Sequence, residues 1–198
     1  MNTLKHVVLL PAILLSGCVS MNFLAVAPGA VAVGDIALSP STTWNEAPAV
    51  MRPYSRRGAE VWTRDGLLLD RVMIIPGVPD GETLFDIQDP GTALPTFRPD
   101  MLPNELEEFT ESSLVTLFGE GNVAVNTSGL RPHRFGETPG VLFNFDASLV
   151  DSPDYKGLVG AFIANGLLYM MLYVAAEPYY YDKHLGEASV IIETATLM

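Results

Sequence analysis

Cysteine is nearly missing from these 198 residues, with Cys18 the only one present. No disulfide can therefore form within one chain, and a core must be held by packing. A domain of this length can manage that, since it buries roughly 70% of the surface its unfolded chain exposes. Positive charge is scarce as well: 11 Lys and Arg stand against 23 Asp and Glu, and the pI is near 4.5. Lys5 is the only charged residue before Cys18, so the chain from Cys18 onward carries ten basic and 23 acidic side chains, net −13. Phosphate backbones and anionic head groups repel such a surface, which excludes nucleic acid as a partner and adsorption to a bilayer through a basic face. The short catalytic signatures are also missing: there is no G-x-S-x-G elbow, no P-loop and no H-E-x-x-H.

The N-terminus carries an export pattern. Lys5 and His6 give a positive start, and Val7 to Leu15 is an apolar run broken by Pro11. The run is too short for a hydrocarbon core of about 30 Å and has the form of the apolar segment of a secretory signal. At its end stands Leu15-Ser16-Gly17-Cys18, which resembles the lipobox of bacterial lipoproteins. The resemblance implies cleavage between Gly17 and Cys18, a diacylglyceryl group on the Cys18 sulfur and acylation, such as by palmitate, of the new amine. Each buried CH₂ contributes about 0.8 kcal/mol, so two or three chains hold where one is marginal. The residue after the cysteine is Val19; an aspartate there would favour inner-membrane retention, so the resemblance implies the outer membrane, facing the periplasm. Residues 1–17 are thus expected to be a signal peptide, 18–29 a lipid-anchored tether and 30–198 one domain.

Within that domain, Val31 to Leu38 has weak strand alternation ahead of Trp44. A hairpin is expected over 60–75, with Asp65-Gly66 as a two-residue turn that sets Trp62 across from Leu69 and with Pro76-Gly77 ending the second strand. Residues 78–99, rich in Pro and Gly, read as a long loop. Asn104 can cap a helix through Phe118 that Gly119 ends, with Glu107 completing the capping box and Leu106, Phe109, Leu114, Leu117 and Phe118 as its apolar stripe. Strands at 122–126 and 140–145 are expected on either side of a further Pro/Gly loop. Residues 158–176 carry no charge and on length alone could form a transmembrane helix. Asn165-Gly166 at their centre instead signals a hairpin, aligning Phe162 with Tyr169 and Ile163 with Leu168 on central strands apolar on both faces. Tyr181, Leu185, Ala188, Ile191, Ile192 and Ala195 recur at helical spacing and mark a closing helix.

Two main helices covering a largely antiparallel sheet of about six to seven strands make an α+β domain, an α/β/α sandwich. This order of elements, with a strand leading to Trp44 and a closing helix preceded by aromatics, resembles the PsbP-like superfold, which also holds the DcrB-type envelope lipoproteins. The likeness covers roughly Val31 to Thr196 and implies a binding or assembly module, not an enzyme.

Candidate chemistry is thin. His133 lies in Leu130-Arg131-Pro132-His133-Arg134-Phe135, read as a loop, and a surface role is expected there ahead of a base. Neither His133 nor His184 has a second ligand at metal spacing, residues 146–154 do not make a calcium loop, and Glu105, Glu107, Glu108 and Glu111 read as a solvated helix face. No catalytic residue, metal site or cofactor is expected. Arg131 and Arg134, with His133, form the one basic patch on an acidic domain and are candidates for a partner site. Tyr179 and Tyr180 are candidates for an aromatic ledge. The leading expectation is a non-catalytic binding or scaffolding module held on the membrane by Cys18 with an envelope protein as partner. Two competing readings are a hydrolase using His133 with a carboxylate, and an integral membrane protein spanning at 158–176.

Overall fold

β-branched and aromatic residues at alternating positions build most of the chain into strands. The computed structural model describes residues 22–87, 91, 93–119 and 121–198; the expected signal peptide and Cys18 lie outside them. In chain order the elements are β1 (Leu24–Val26), β2 (Val31–Val33), β3 (Ile36–Leu38), β4 (Trp44–Glu46), β5 (Glu60–Thr63), β6 (Asp70–Val78), α1 (Pro103–Phe118), β7 (Val123–Phe135), β8 (Thr138–Leu149), β9 (Tyr155–Ala164), β10 (Leu167–Ala176), α2 (Tyr180–Glu193) and β11 (Thr196–Leu197). Eight strands form one antiparallel sheet in the order β1-β4-β5-β6-β10-β9-β8-β7, and β11-β3-β2 form a small second sheet. The fold is the expected α+β sandwich, with one more strand in the main sheet because Leu24–Val26, inside the stretch read as tether, pairs with β4.

The centre of the sheet is the uncharged stretch. Asn165 and Gly166 take φ of 52° and 76°, the positive values of a tight hairpin turn. Phe162 pairs with Tyr169, Ile163 with Leu168 and Gly160 with Met171, the register that the turn demands. Alternate residues of β9 and β10 then feed two separate cores. One, under α2 and the small sheet, holds Trp44, Trp62, Phe135, Phe162, Tyr169 and Ile192; the other, under α1 and the loop after β6, holds Phe85, Phe97, Phe109, Phe143, Phe145 and Leu172. Each such side chain contributes about 1.5–3 kcal/mol when fully buried. Residues 158–176 are therefore central strands, not a membrane span, and no helix among the described residues is long and apolar enough to cross a membrane.

Several local expectations are corrected. Val31 to Leu38 is not one strand: it folds at Gly34, whose φ is 55° and where a Cβ would stand 2.6 Å from the Pro76 Cβ. Trp62 pairs with Val72, not Leu69, because residues 64–69 form a wide loop gathered by Asp70. Pro76-Gly77 does not end β6, since a register shift opposite Leu168 and Tyr169 accommodates the proline without an N–H. α1 starts with Pro103, pre-organised for a first helical position, and Glu105, rather than Asn104 with Glu107, supplies the cap by accepting the Leu102 N–H at 2.7 Å. The Pro/Gly loop expected after residue 126 is instead the paired length of β7 and β8, with a shift between Ser128 and Arg131. Pro132 is tolerated because β7 is an edge strand.

Candidate functional site

Two constellations lie on opposite faces of β6, and the alternation of consecutive side chains separates them. On the α2 face, Asp70 is fully buried and accepts three hydrogen bonds: from the Asp65 N–H at 2.7 Å, the Arg64 N–H at 2.8 Å and the Thr63 hydroxyl at 3.3 Å. These bonds hold the 64–69 loop so that Asp65 faces α2. Its Oδ2 receives Lys183 Nζ at 2.5 Å and His184 Nε2 at 2.8 Å. One helical turn on, Glu187 pairs with Arg64 and accepts from the Thr42 hydroxyl at 3.1 Å. His184 Nδ1 stands 3.7 Å from Glu187, and the ring meets Trp44 edge-on at 6.3 Å. The hydrogen bonds from Lys183 and then His184 lower the Asp65 pKa, and that same contact raises the pKa of Lys183. Trp44 Nε1 is the buried donor of this face without a partner among the described residues.

An aspartate on an imidazole is the arrangement of a general base, and ligand atoms of Asp65, Asp70 and His184 lie within 4.8 Å of one another, close enough to hold a metal ion. Most of these ligand atoms are already engaged, however. Asp65 holds an ammonium and an imidazole on one oxygen, both Asp70 oxygens accept from fixed donors, and carboxylates face both nitrogens of His184. A divalent cation would compete with Lys183 for Asp65 and with the donors of the 64–69 loop for Asp70. As built, the cluster fastens the first turns of α2 to the β5–β6 connection.

On the α1 face, the next residue of β6, Arg71, borders two adjoining cavities of about 260 and 240 Å³. Both are lined by Leu68, Arg71, Met73, Phe85, Leu117 and Phe118. Arg71 Nη1 donates to the Leu67 carbonyl at 2.9 Å, and among the described residues no carboxylate pairs with it. The residue is partly accessible through the cavity, yet the protein around it desolvates the guanidinium and lowers its pKa. Arg52, at the edge of the larger cavity, is already paired with Glu46 at 3.3 Å.

The residues singled out from sequence are scattered by comparison. Arg131, His133 and Arg134 lie on strand β7 and not in a loop, so alternation turns Arg134 away from the other two. Arg131 donates to the Gly129 carbonyl at 3.3 Å, and Arg134 to the Glu137 carbonyl at 2.7 Å. His133 Nε2 contacts the Glu193 carbonyl at 2.9 Å, and its ring packs against Phe135 at 4.7 Å. No carboxylate among the described residues pairs with it, and it lies away from both cavities, which removes the geometry that the hydrolase reading needs. Tyr179 and Tyr180 do converge on something: their rings lie 5.5 and 5.8 Å from Lys183 Nζ, which joins them to the Asp65 cluster. Of the helix glutamates, Glu111 accepts from the Thr127 hydroxyl at 2.9 Å and ties α1 to β7. Arg71, Asp65 and Asp70 were not candidates on sequence. The signal for Arg71 is a cation at the position of a strand that shares a face with the apolar Met73 and Ile75.

No family model matches the chain, and no curated protein matches it in sequence. In structure it is similar to cyanobacterial PsbP (CyanoP) from Synechocystis sp. PCC 6803, whose solution structure superposes with a TM-score of 0.55 at 9% identity. The match covers 92% of this chain and 96% of that one. The fold is PsbP-like, and at this identity the likeness speaks for the fold alone.

Proposed function

We propose that this protein is a cell-envelope lipoprotein, anchored by lipid on Cys18 at the outer membrane and facing the periplasm, whose acidic domain binds or scaffolds an envelope partner without chemistry of its own. The observation that carries the non-catalytic reading is the state of the polar groups. In the best-placed carboxylate–imidazole pair Asp65 is held by Lys183 and His184 is buried, and His133 rests on a main-chain carbonyl. Neither imidazole opens onto the two cavities, so neither meets a substrate that they could hold. The anchoring reading is supported by Leu15-Ser16-Gly17-Cys18 after an apolar run, and by strand formation from Leu24, which brings the folded domain close to the anchor.

Membrane fractionation tests the anchor. Wild-type protein is expected in the outer-membrane fraction, acyl-modified at its new N-terminus, with the Cys18→Ser form lacking the acyl group and losing that location. Recovery of unmodified wild-type protein in the soluble fraction overturns the proposal. Crosslinking in intact cells, compared between the two forms, tests the partner: a defined envelope protein captured only by the anchored form is the expected result.

A further inference from the structure

We infer that the two-lobed cavity on the α1 face binds a long-chain fatty acid, with its carboxylate on Arg71 and its acyl chain between α1 and the sheet. This inference stands on the cavity alone and depends on neither the anchor nor a partner protein. A guanidinium presents five N–H donors, and only one hydrogen bond from Arg71, to the Leu67 carbonyl, is formed among the described residues. The nearest acid in sequence, Asp70, is directed to the other face and already accepts three bonds. Among the described residues Arg71 thus feels the charge of Asp70 but has no carboxylate in contact with it, and a partly desolvated cation of this kind is stabilised by an anion that supplies two acceptors side by side. A carboxylate does so.

The walls set the rest of the ligand. Met73, Phe85, Leu117 and Phe118 line both lobes beside Arg71 and favour a hydrocarbon tail, and of the polar lining Arg52 is already paired with Glu46 and Tyr155 with the Leu68 carbonyl. The lobes are of a size that, joined, reaches the several hundred Å³ of small-molecule sites. The rim is apolar as well. Leu68 is 77% exposed, Tyr54 52% and Met51 43%, and all three border the larger lobe. Exposed apolar side chains are ordinary when scattered, but gathered at the mouth of a cavity they mark a binding surface. Tyr155, whose hydroxyl donates to the Leu68 carbonyl at 3.0 Å, steadies that rim from the smaller lobe.

The test titrates delipidated full-length protein with oleate and with oleyl alcohol, which has the same tail and no charge, by displacement of a fluorescent fatty acid. Oleate is expected to saturate at one equivalent and to bind more tightly than the alcohol. Arg71→Gln is expected to weaken oleate by roughly ten-fold or more, the range for a charge-assisted hydrogen bond, and to leave the alcohol unchanged. Equal binding of the two ligands, no saturable binding, or an Arg71→Gln variant that holds oleate as wild type does overturns the inference. Leu117→Trp, which fills the space shared by both lobes, guards against misfolding of the first variant. Folded by circular dichroism, it should lose both ligands, and retention of oleate by it overturns the inference equally.

Discussion

The two faces of the central strands are made from the same strands in the same register and end in opposite conditions. α2 lies across the middle of the sheet, over β6, β9 and β10, whereas α1 packs mainly over β7 and β8 near one edge. On the α2 side the approach is close: a Cβ on Gly160 would stand 2.5 Å from Ile192 Cγ2 and 3.1 Å from Phe135 Cζ. On the α1 side, the β6 end is roofed by loop residues such as Tyr54 and Phe85 and by the end of α1, and space remains. The charges divide in the same way. Those near α2 are paired into a clasp, whereas on the α1 side Arg71 has no carboxylate in contact with it among the described residues. Helix placement, not strand composition, decided which face became a lock and which a cavity.

The sharpest way to break this comparison uses adjacent residues. Asp70→Leu leaves two part-buried main-chain N–H groups and the buried Thr63 hydroxyl without their acceptor, and should cost about 2–4 kcal/mol, since a fully buried lost acceptor costs about 1–3 kcal/mol. Arg71→Leu, one residue on, exchanges a desolvated and unpaired cation for an apolar side chain and should lie within about 1 kcal/mol of wild type or be stabilising. Urea unfolding of both, with unchanged slope, checks the pair. Equal losses would mean that the faces do not differ.

A smaller contrast concerns added volume. Gly160→Ala should destabilise by about 1–3 kcal/mol through overpacking against Ile192 and Phe135, while Met73→Phe, enlarging a side chain that borders the cavity, should change stability by less than about 1.5 kcal/mol. Thermal melts of both proteins decide it. The smallest effect concerns acid. Asp65 has a folded pKa below its ordinary 3.8, so its contribution is fully present above that value and is lost as pH falls through the lower folded pKa. Melting temperatures measured from pH 7 to 2.5 should therefore fall on the acid side, and Asp65→Asn should flatten that limb. Glu60 acts in the opposite sense, because burial raises its pKa above 4.5 and its share of stability grows as pH drops through the raised value. A limb unchanged in Asp65→Asn would show that the Lys183 and His184 contacts contribute little.

Local chemistry made a large part of the architecture legible. Asn165-Gly166 dictated a hairpin and, with it, the pairing of Phe162 with Tyr169, because only one register places both positive-φ residues in the turn. The apolar stripes of α1 and α2 likewise announced the faces that they bury. Proline and glycine misled where tertiary pairing outweighed them: Pro76 sits at a bulge and Pro132 on an edge, both places where a missing N–H costs little.

By itself, then, the sequence determined an acidic α+β chain without disulfides, a central uncharged hairpin and two amphipathic helices, all of which come from periodicity, turn chemistry and composition. The tertiary structure alone decided that Asp65 would meet Lys183 and His184 more than a hundred residues away. It also decided that Arg71 would face an apolar space with no carboxylate among the described residues in contact with it. Pairing of that kind depends on where α1 and α2 come to rest on the sheet, and contacts between residues so far apart in the chain leave no local pattern.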